Sequence, residues 1–246
     1  MGAGRAISLL IVVAAMAGCT AAVPDPGFND PYEAQNRRVH AFNTSVDEGI
    51  VSRAGRTYVA VASPTVRTGV SNVADTLSLP RTVVNQVLQG RLLRAGRNTL
   101  RFAVNATLGF GGIADVAADM GLEHDETDFG ETLHVWGVAE GAYLEVPFVG
   151  PTTQRDLAGS VVDIFLNPLD PRLEPGQRRA KLALRVLDKV GERADYAASI
   201  DSVLHESADS YSQVRLMYLQ NRRYELGATP PEAVDADPLA LDTEGF

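Results

Sequence analysis

The side chains in this sequence that could do chemistry are four histidines, one cysteine and a short run of acids. His40, His124, His134 and His205 stand apart. None has a second His three or four residues away, so no helix face offers two imidazoles to a metal. Glu123-His124-Asp125-Glu126 with Asp128 supplies oxygen and imidazole donors but lacks the Gly-centred turn of an EF-hand loop, and it reads as a solvated acidic loop. Gly109-x-Gly111-Gly112 would bring backbone N–H groups towards a phosphate. No Lys-Ser/Thr follows it and no strand–helix–strand pattern surrounds it, so it reads as a helix break with tight backbone packing. No Ser sits in a G-x-S-x-G elbow, and no Ser–His–Asp set follows from residue order. The residues give no support to an enzyme, and no cofactor or metal site is expected.

The single Cys, Cys19, has a different chemistry. Arg5 precedes an apolar run of twelve residues, Ala6 to Ala17, with Ser8 its one polar residue. That run is shorter than the about 20 residues a membrane-crossing helix needs and has the length of a signal-peptide core. It ends in Met16-Ala17-Gly18-Cys19, which resembles the lipobox of bacterial lipoproteins with Met in place of the usual Leu. The resemblance implies that residues 1–18 are removed and that Cys19 is lipidated. Each buried CH₂ of an acyl chain contributes about 0.8 kcal/mol, and more than one chain gives a lasting anchor. Thr20 follows, where an Asp would retain such a protein at the inner membrane, so the signal points outward. One Cys excludes a disulfide framework. With 22 Lys and Arg against 31 Asp and Glu the net charge is -9, which disfavours nucleic acid as a partner.

Composition is that of a globular protein, with 45% hydrophobic and 22% charged residues over 246 positions. Residues 19–29 read as a lipidated tether, 30–226 as a single helical domain and 227–246 as a disordered acidic tail. Asp30-Pro31-Tyr32-Glu33 predicts a helix start with Asp30 as N-cap, followed by a stripe of Val39, Phe42, Val46 and Ile50. Ser63-Pro64 predicts a second helix with Val66, Val70, Val73 and Leu77 on its core face. Leu79-Pro80 predicts a third with Val83, Val84, Val87 and Leu88 inward and Gly90 ending it. A further helix fills 91–108, and a short one runs over 113–120. Thr132 to Val138 and Tyr143 to Val149, around Ala139-Glu140-Gly141, predict a β-hairpin, with Pro147 making the second arm irregular. Helix resumes after Pro151-Thr152, with Leu157, Val161, Val162, Ile164 and Phe165 inward, and stops at Asn167-Pro168. Residues 177–226 are helical, with Leu182, Val186 and Val190 repeating every four residues and a second stripe from Ile200 to Tyr218. Ser210 and Gln213 form a capping box that divides them. Periodicity alone favours an ordinary apolar core behind these stripes.

Several phrases, in order behind the lipobox, are distinctive: Asp30-Pro31-Tyr32-Glu33-Ala34-Gln35-Asn36-Arg37, Val84-Asn85-Gln86-Val87-Leu88-Gln89-Gly90, Arg101-Phe102-Ala103-Val104-Asn105-Ala106-Thr107-Leu108-Gly109, Asp128-Phe129-Gly130-Glu131-Thr132-Leu133 and Gly150-Pro151-Thr152-Thr153. Over about residues 30–171 the chain resembles the MlaA (VacJ) family of outer-membrane lipoproteins. Gln35 departs from the family's common Phe, and Ser52-Arg53-Ala54 lacks its usual Pro.

The resemblance implies an all-α fold with one short β-hairpin, its amphipathic helices forming a ring around a central channel in the inner leaflet of the outer membrane. It implies removal of mislocalised phospholipid from the outer leaflet and delivery to a periplasmic lipid carrier, beside a trimeric porin, which maintains lipid asymmetry. The hairpin matching Gly137 to Pro147, with Gly141, Tyr143 and Leu144 between, would gate the channel. Two other functions remain open on the residues: a membrane-anchored phospholipid hydrolase and a non-catalytic envelope scaffold.

Overall fold

A computed structural model describes residues 29–227. The signal peptide, Cys19, nearly all of the tether and the acidic tail lie outside the described residues. The first helix, α1 (Glu33–Val46), runs through a π-helical turn at Asp47–Val51 into α2 (Ser52–Val61). Asp30 does not cap it: the position next to the helix is Tyr32, and the Asp30 carboxylate instead accepts from Asn36 at 2.8 Å, from Arg215 at 2.6 Å and from the Tyr211 hydroxyl.

The expected second and third helices are one, α3 (Pro64–Leu88). Ser63 caps it as expected, with Pro64 in its first turn. Pro80 sits inside it, where its missing N–H removes one backbone bond. Contacts of α3 with the neighbouring helices outweigh that local loss. Gly90, at φ +73°, closes α3: its N–H reaches Val87 O and the Arg91 N–H reaches Gln86 O, the paired bonds of a Schellman motif. Helix α4 (Leu92–Thr107) packs back along α3. After the glycine turn, α5 is only Val116–Asp119, capped by Asp115.

Thr132–Val138 was expected as a strand, but Thr132 to Val135 belong to a helix, α6 (Phe129–Val135). The cause is the Asp128-x-x-Glu131 start, in which the Asp128 carboxylate accepts the Glu131 N–H at 2.7 Å. This cap outweighs the β-branched composition that follows. The hairpin is shifted along the chain: β1 (Tyr143–Val146) pairs antiparallel with β2 (Gly150–Thr153), Tyr143 opposite Thr153, and Pro147-Phe148-Val149 forms its tip. Thr153 then caps α7 (Gln154–Leu166), which Asn167 ends. Helix α8 (Pro175–Asp195), short α9 (Ala197–Asp201), a π turn at Ser202–Glu206 and α10 (Ser210–Glu225) complete the domain. The cap of α10 is Asp209, not Ser210.

The stripe through Tyr211 and Tyr218 packs inward as expected, but most of the others have the expected period and turn outward. Among the described residues 22 buried side chains are polar or charged and nine are apolar, whereas 29 large apolar side chains are exposed. On α1 the buried residues are Asn36 and His40, while Phe42 is exposed. On α3 they include Thr82, Asn85 and Gln86, with Val87 and Leu88 outside. On α7 they are Arg155, Asp156 and Asp163, with Val161, Ile164 and Phe165 outside. Leu93 and Phe110 are 91% and 82% exposed. A water-soluble domain buries its apolar stripe. Here helices around a polar interior turn their apolar faces out.

Candidate functional site

The polar interior holds itself together by hydrogen bonds. Asn85 donates to Asp163 at 2.8 Å and accepts from Thr132 at 3.0 Å. Gln89 donates to Thr127 at 2.7 Å, and Asn98 donates to Gln86 at 3.1 Å and to Asp125 O at 2.8 Å. These bonds tie α3, α4, α6 and α7 to the acidic loop. Such buried polar groups are tolerable only because they are paired. Where α7 meets α10, Arg222 bonds Asp128 at 2.8 Å and Asp156 at 3.2 Å, and the Tyr218 hydroxyl donates to Asp156 at 3.0 Å. Burial opposes ionisation of Asp156, but Arg222, with Arg155 and Thr153, holds it below the usual carboxylate range. At the π turn, Arg193 bonds both oxygens of Asp47 at 2.8 Å and reaches Asp201 at 2.5 Å. Asp47, Asp201 and His205 therefore carry their own cation, and their grouping needs no metal.

Inside this frame is a polar cavity of about 610 Å³. Its walls are α3 at Asp75, Ser78 and Arg81, α8 at Arg185, Asp188 and Lys189, α10 at Arg222, and the loop Asp125–Asp128. A second, more open cavity of about 840 Å³ lies over Gly90–Arg94 and the same loop. The two share Arg94, Asp125 and Glu126, so the acidic loop forms the partition between them. Arg94 pairs with Asp125 at 3.3 Å. Burial pushes the Asp75 carboxyl up, and Asp188 and Glu126 add to the shift against the opposing effect of His124. A cavity lined mainly by cations and anions suits a charged, hydrated group better than a hydrocarbon tail. The expected acidic loop thus lines both cavities.

The hairpin residues do not form one site. Gly141 is buried at φ +77°, and a Cβ there would lie 2.7 Å from Gln154 Oε1. Tyr143 is 1% exposed, packed edge-on against Tyr211 and Tyr218. Its hydroxyl donates to Glu145 at 2.6 Å, and burial with that carboxylate drives its pKa up. Leu144 is half-buried, and Pro147 is exposed at the tip beside Phe148, which meets Phe42 edge-on at 5.1 Å. Gly137, at φ +86°, lies away from the tip on an exposed loop lining a cavity of about 540 Å³ with His134, Glu140 and Arg223. The strand is strapped to α1: the Glu145 N–H donates to Asn36, His40 Nδ1 lies 3.4 Å from Glu145, and Asn43 bridges Val146 O and the Phe148 N–H.

Sequence reasoning did not single out Asp75, Arg81, Arg185 or Lys189. Their signal was present: Lys181, Arg185, Asp188 and Glu192 repeat at helical spacing opposite Leu182 and Val186, a polar stripe as regular as the apolar one.

Comparison with known proteins agrees with this architecture. A solved structure whose subject is the maintenance of bacterial outer membrane lipid asymmetry superposes with a TM-score of 0.68 at 29% identity, covering 80% of this chain and 98% of that one. The intermembrane phospholipid transport system lipoprotein MlaA of Escherichia coli is 33% identical over 228 residues, 89% of this chain and 88% of its own. Its counterpart in Haemophilus influenzae is 28% identical over 202 residues, 80% and 79% of the two chains. A Rickettsia typhi protein is 33% identical over 186 residues, 76% and 73% of the two. The MlaA lipoprotein family profile matches residues 28–225, and the chain belongs to that family.

Proposed function

We propose that this chain is a non-catalytic phospholipid-transfer lipoprotein of the outer membrane. It takes mislocalised phospholipid from the outer leaflet, passes the head group through the central polar cavity and hands the lipid to a periplasmic carrier, beside a trimeric porin. The observation that carries this is the inversion of the fold. Exposed Phe110, Phe148, Ile164 and Phe165 suit acyl chains, while the cavity walls suit a hydrated head group. Among the described residues no helix is long and apolar enough to cross a membrane, so the apolar rim fits a domain lying within one leaflet. The E. coli relative's name, an intermembrane phospholipid transport lipoprotein, supports the same assignment.

Mass spectrometry of the detergent-purified mature protein tests it. Intact phospholipid is expected to co-purify, and the N-terminal peptide is expected to carry acyl chains on Cys19. Release of fatty acid from supplied phospholipid would favour a hydrolase instead. Stable protein partners with no retained lipid would favour a scaffold.

The gate is assigned to Gly137–Pro147. Gly137 and Gly141, both at positive φ, bound an exposed loop, whereas β1 is strapped to α1, so movement belongs to the loop and its junctions. Cysteines introduced at Ala139 and Leu226, which line the same cavity, allow a cleavable bis-maleimide cross-linker to alkylate both thiols and tether the loop to the C-terminal end of the domain. Tethering is expected to stop lipid transfer and cleavage to restore it, with helicity constant. Equal transfer in both states, with the tether verified, would make the hairpin a static part of the wall.

A further inference from the structure

We propose that Arg81 and Arg185 form the site that holds the phosphate of a phospholipid head group inside the central cavity. The inference rests on the transfer function above and assigns its binding group.

Helices α3 and α8 pack together and bring both guanidinium groups to the wall of the 610 Å³ cavity. Other cations there have partners: Arg222 has Asp128 and Asp156, Arg94 has Asp125, and Lys189 has Glu192 at 2.7 Å. Arg81 and Arg185 make no hydrogen bond or salt bridge among the described residues, and Arg81 Nε is buried without an acceptor. Desolvation on the cavity wall and the nearby Arg81 push the Arg185 guanidinium below its ordinary value, against the opposing charges of Asp170 and Asp163. Two guanidinium groups on one cavity wall, neither in a salt bridge among the described residues, leave N–H donors open to an acceptor that enters the cavity. Arginine donors in this arrangement match the oxygens of a phosphate. The cavity volume lies within the about 300–1,000 Å³ usual for small-ligand sites.

The rest of the wall narrows the ligand. Asp75 lies six residues before Arg81 on α3, and Asp188 three residues after Arg185 on α8, about 9 and 4.5 Å along the two helix axes. Neither carboxylate has a salt bridge among the described residues, and the charge of Asp188 helps to push the Asp75 carboxyl up. They repel a multiply charged free phosphate and face the ammonium of a zwitterionic head group. The ligand class is therefore a phosphodiester with an amine, as in a phosphatidylethanolamine.

The test uses full-length detergent-purified protein and its Arg81→Gln/Arg185→Gln variant, titrated with dihexanoyl phosphatidylethanolamine, dihexanoylglycerol and inorganic phosphate. The phospholipid is expected to bind the variant at least tenfold more weakly, with the weak diacylglycerol binding unchanged. The melting temperature is expected to hold or rise, because the substitution removes a repulsion. Arg81→Lys/Arg185→Lys is expected to recover part of the affinity. Unchanged phospholipid affinity in the Gln variant would overturn the site. Inorganic phosphate binding as tightly as the lipid would overturn the head-group assignment and make this a free-phosphate site. Wild type that retains phospholipid while the Gln variant retains as much leaves the transfer function standing and removes only this inference. Wild type that binds no phospholipid removes both.

Discussion

Arg222→Ala is expected to cost about 3–5 kcal/mol of stability, because it leaves Asp156 with most of its compensation gone. For a domain of this size that is a fall in Tm of about 10 °C. Arg222 sits where α7, α10 and the start of α6 converge, bonding Asp156 and Asp128 together. Removing it exposes Asp156 to the full penalty of burial, against which only Arg155, at 3.2 Å, and hydroxyl donors remain. The pH dependence follows from the sign of the shift. In the wild type the Asp156 pKa is depressed, so its stabilisation is present above the unfolded value near 3.9 and is lost as pH falls through the folded value. In the variant, protonation relieves an uncompensated buried charge. The stability gap between the two proteins is therefore expected to be widest at neutral pH and to narrow as pH falls below about 4. Arg37→Ala is the contrast. Its pair with Asp209 at 2.9 Å is solvent-exposed, and its loss is expected to cost less than about 1 kcal/mol. Equal losses in the two variants, by thermal melts followed by circular dichroism, would mean that the interior network does not hold the fold.

Gly159→Ala is expected to destabilise by about 2–3 kcal/mol, although Ala is the better helix former. Helices α6 and α7 cross in backbone contact. A Cβ on Gly159 would lie 2.6 Å from Gly130 Cα and closer still to Gly130 N, and neither atom can rotate away. Room is made only by parting the helices, which pulls the Phe129 N–H from Asp163 and strains the Asn85–Thr132 bond. Gly96→Ala, on α4 where a Cβ meets nothing within 4 Å, is expected to stabilise by about 1 kcal/mol. The same substitution thus has opposite signs at two helical sites. Stabilisation at both would mean that α6 and α7 are not in close contact.

These glycines show where sequence reasoning stops. Chain-local signals were legible: Ser63-Pro64, Gly90, Pro151-Thr152 and Asn167-Pro168 each stand at or within a residue or two of the helix ends found. Each is a bond between residues a few positions apart. Pro80 misled because its local cost is offset by packing partners that are remote in sequence. The strand expected at Thr132–Val138 was overruled by the Asp128–Glu131 cap, itself a readable signal. The facing of most helices was not legible, the stripe of α10 through Tyr211 and Tyr218 being the exception. A stripe of Val83, Val84, Val87 and Leu88 has the same period whether water or lipid lies beyond it, and only the three-dimensional pairing of Asn85 with Asp163 shows which side is inside. For the same reason the cavity residues Arg81 and Arg185 read as an ordinary charged face. Family resemblance supplied the correct fold and left the individual cavity groups undefined.

The inverted packing is the claim on which the function depends, and site-directed spin labels on protein reconstituted in bilayers test it directly. Labels at Phe148, Ile164 and Phe165, on the exposed apolar faces, are expected to relax more strongly with oxygen, which concentrates in lipid, than with a water-soluble nickel complex. Labels at Ser78, Glu126 and Asp188, on the cavity walls, are expected to show the reverse. Nickel access at the outward positions equal to that at the cavity positions would contradict the account, because the apolar faces would then lie in water and the polar interior would have no head group to conduct.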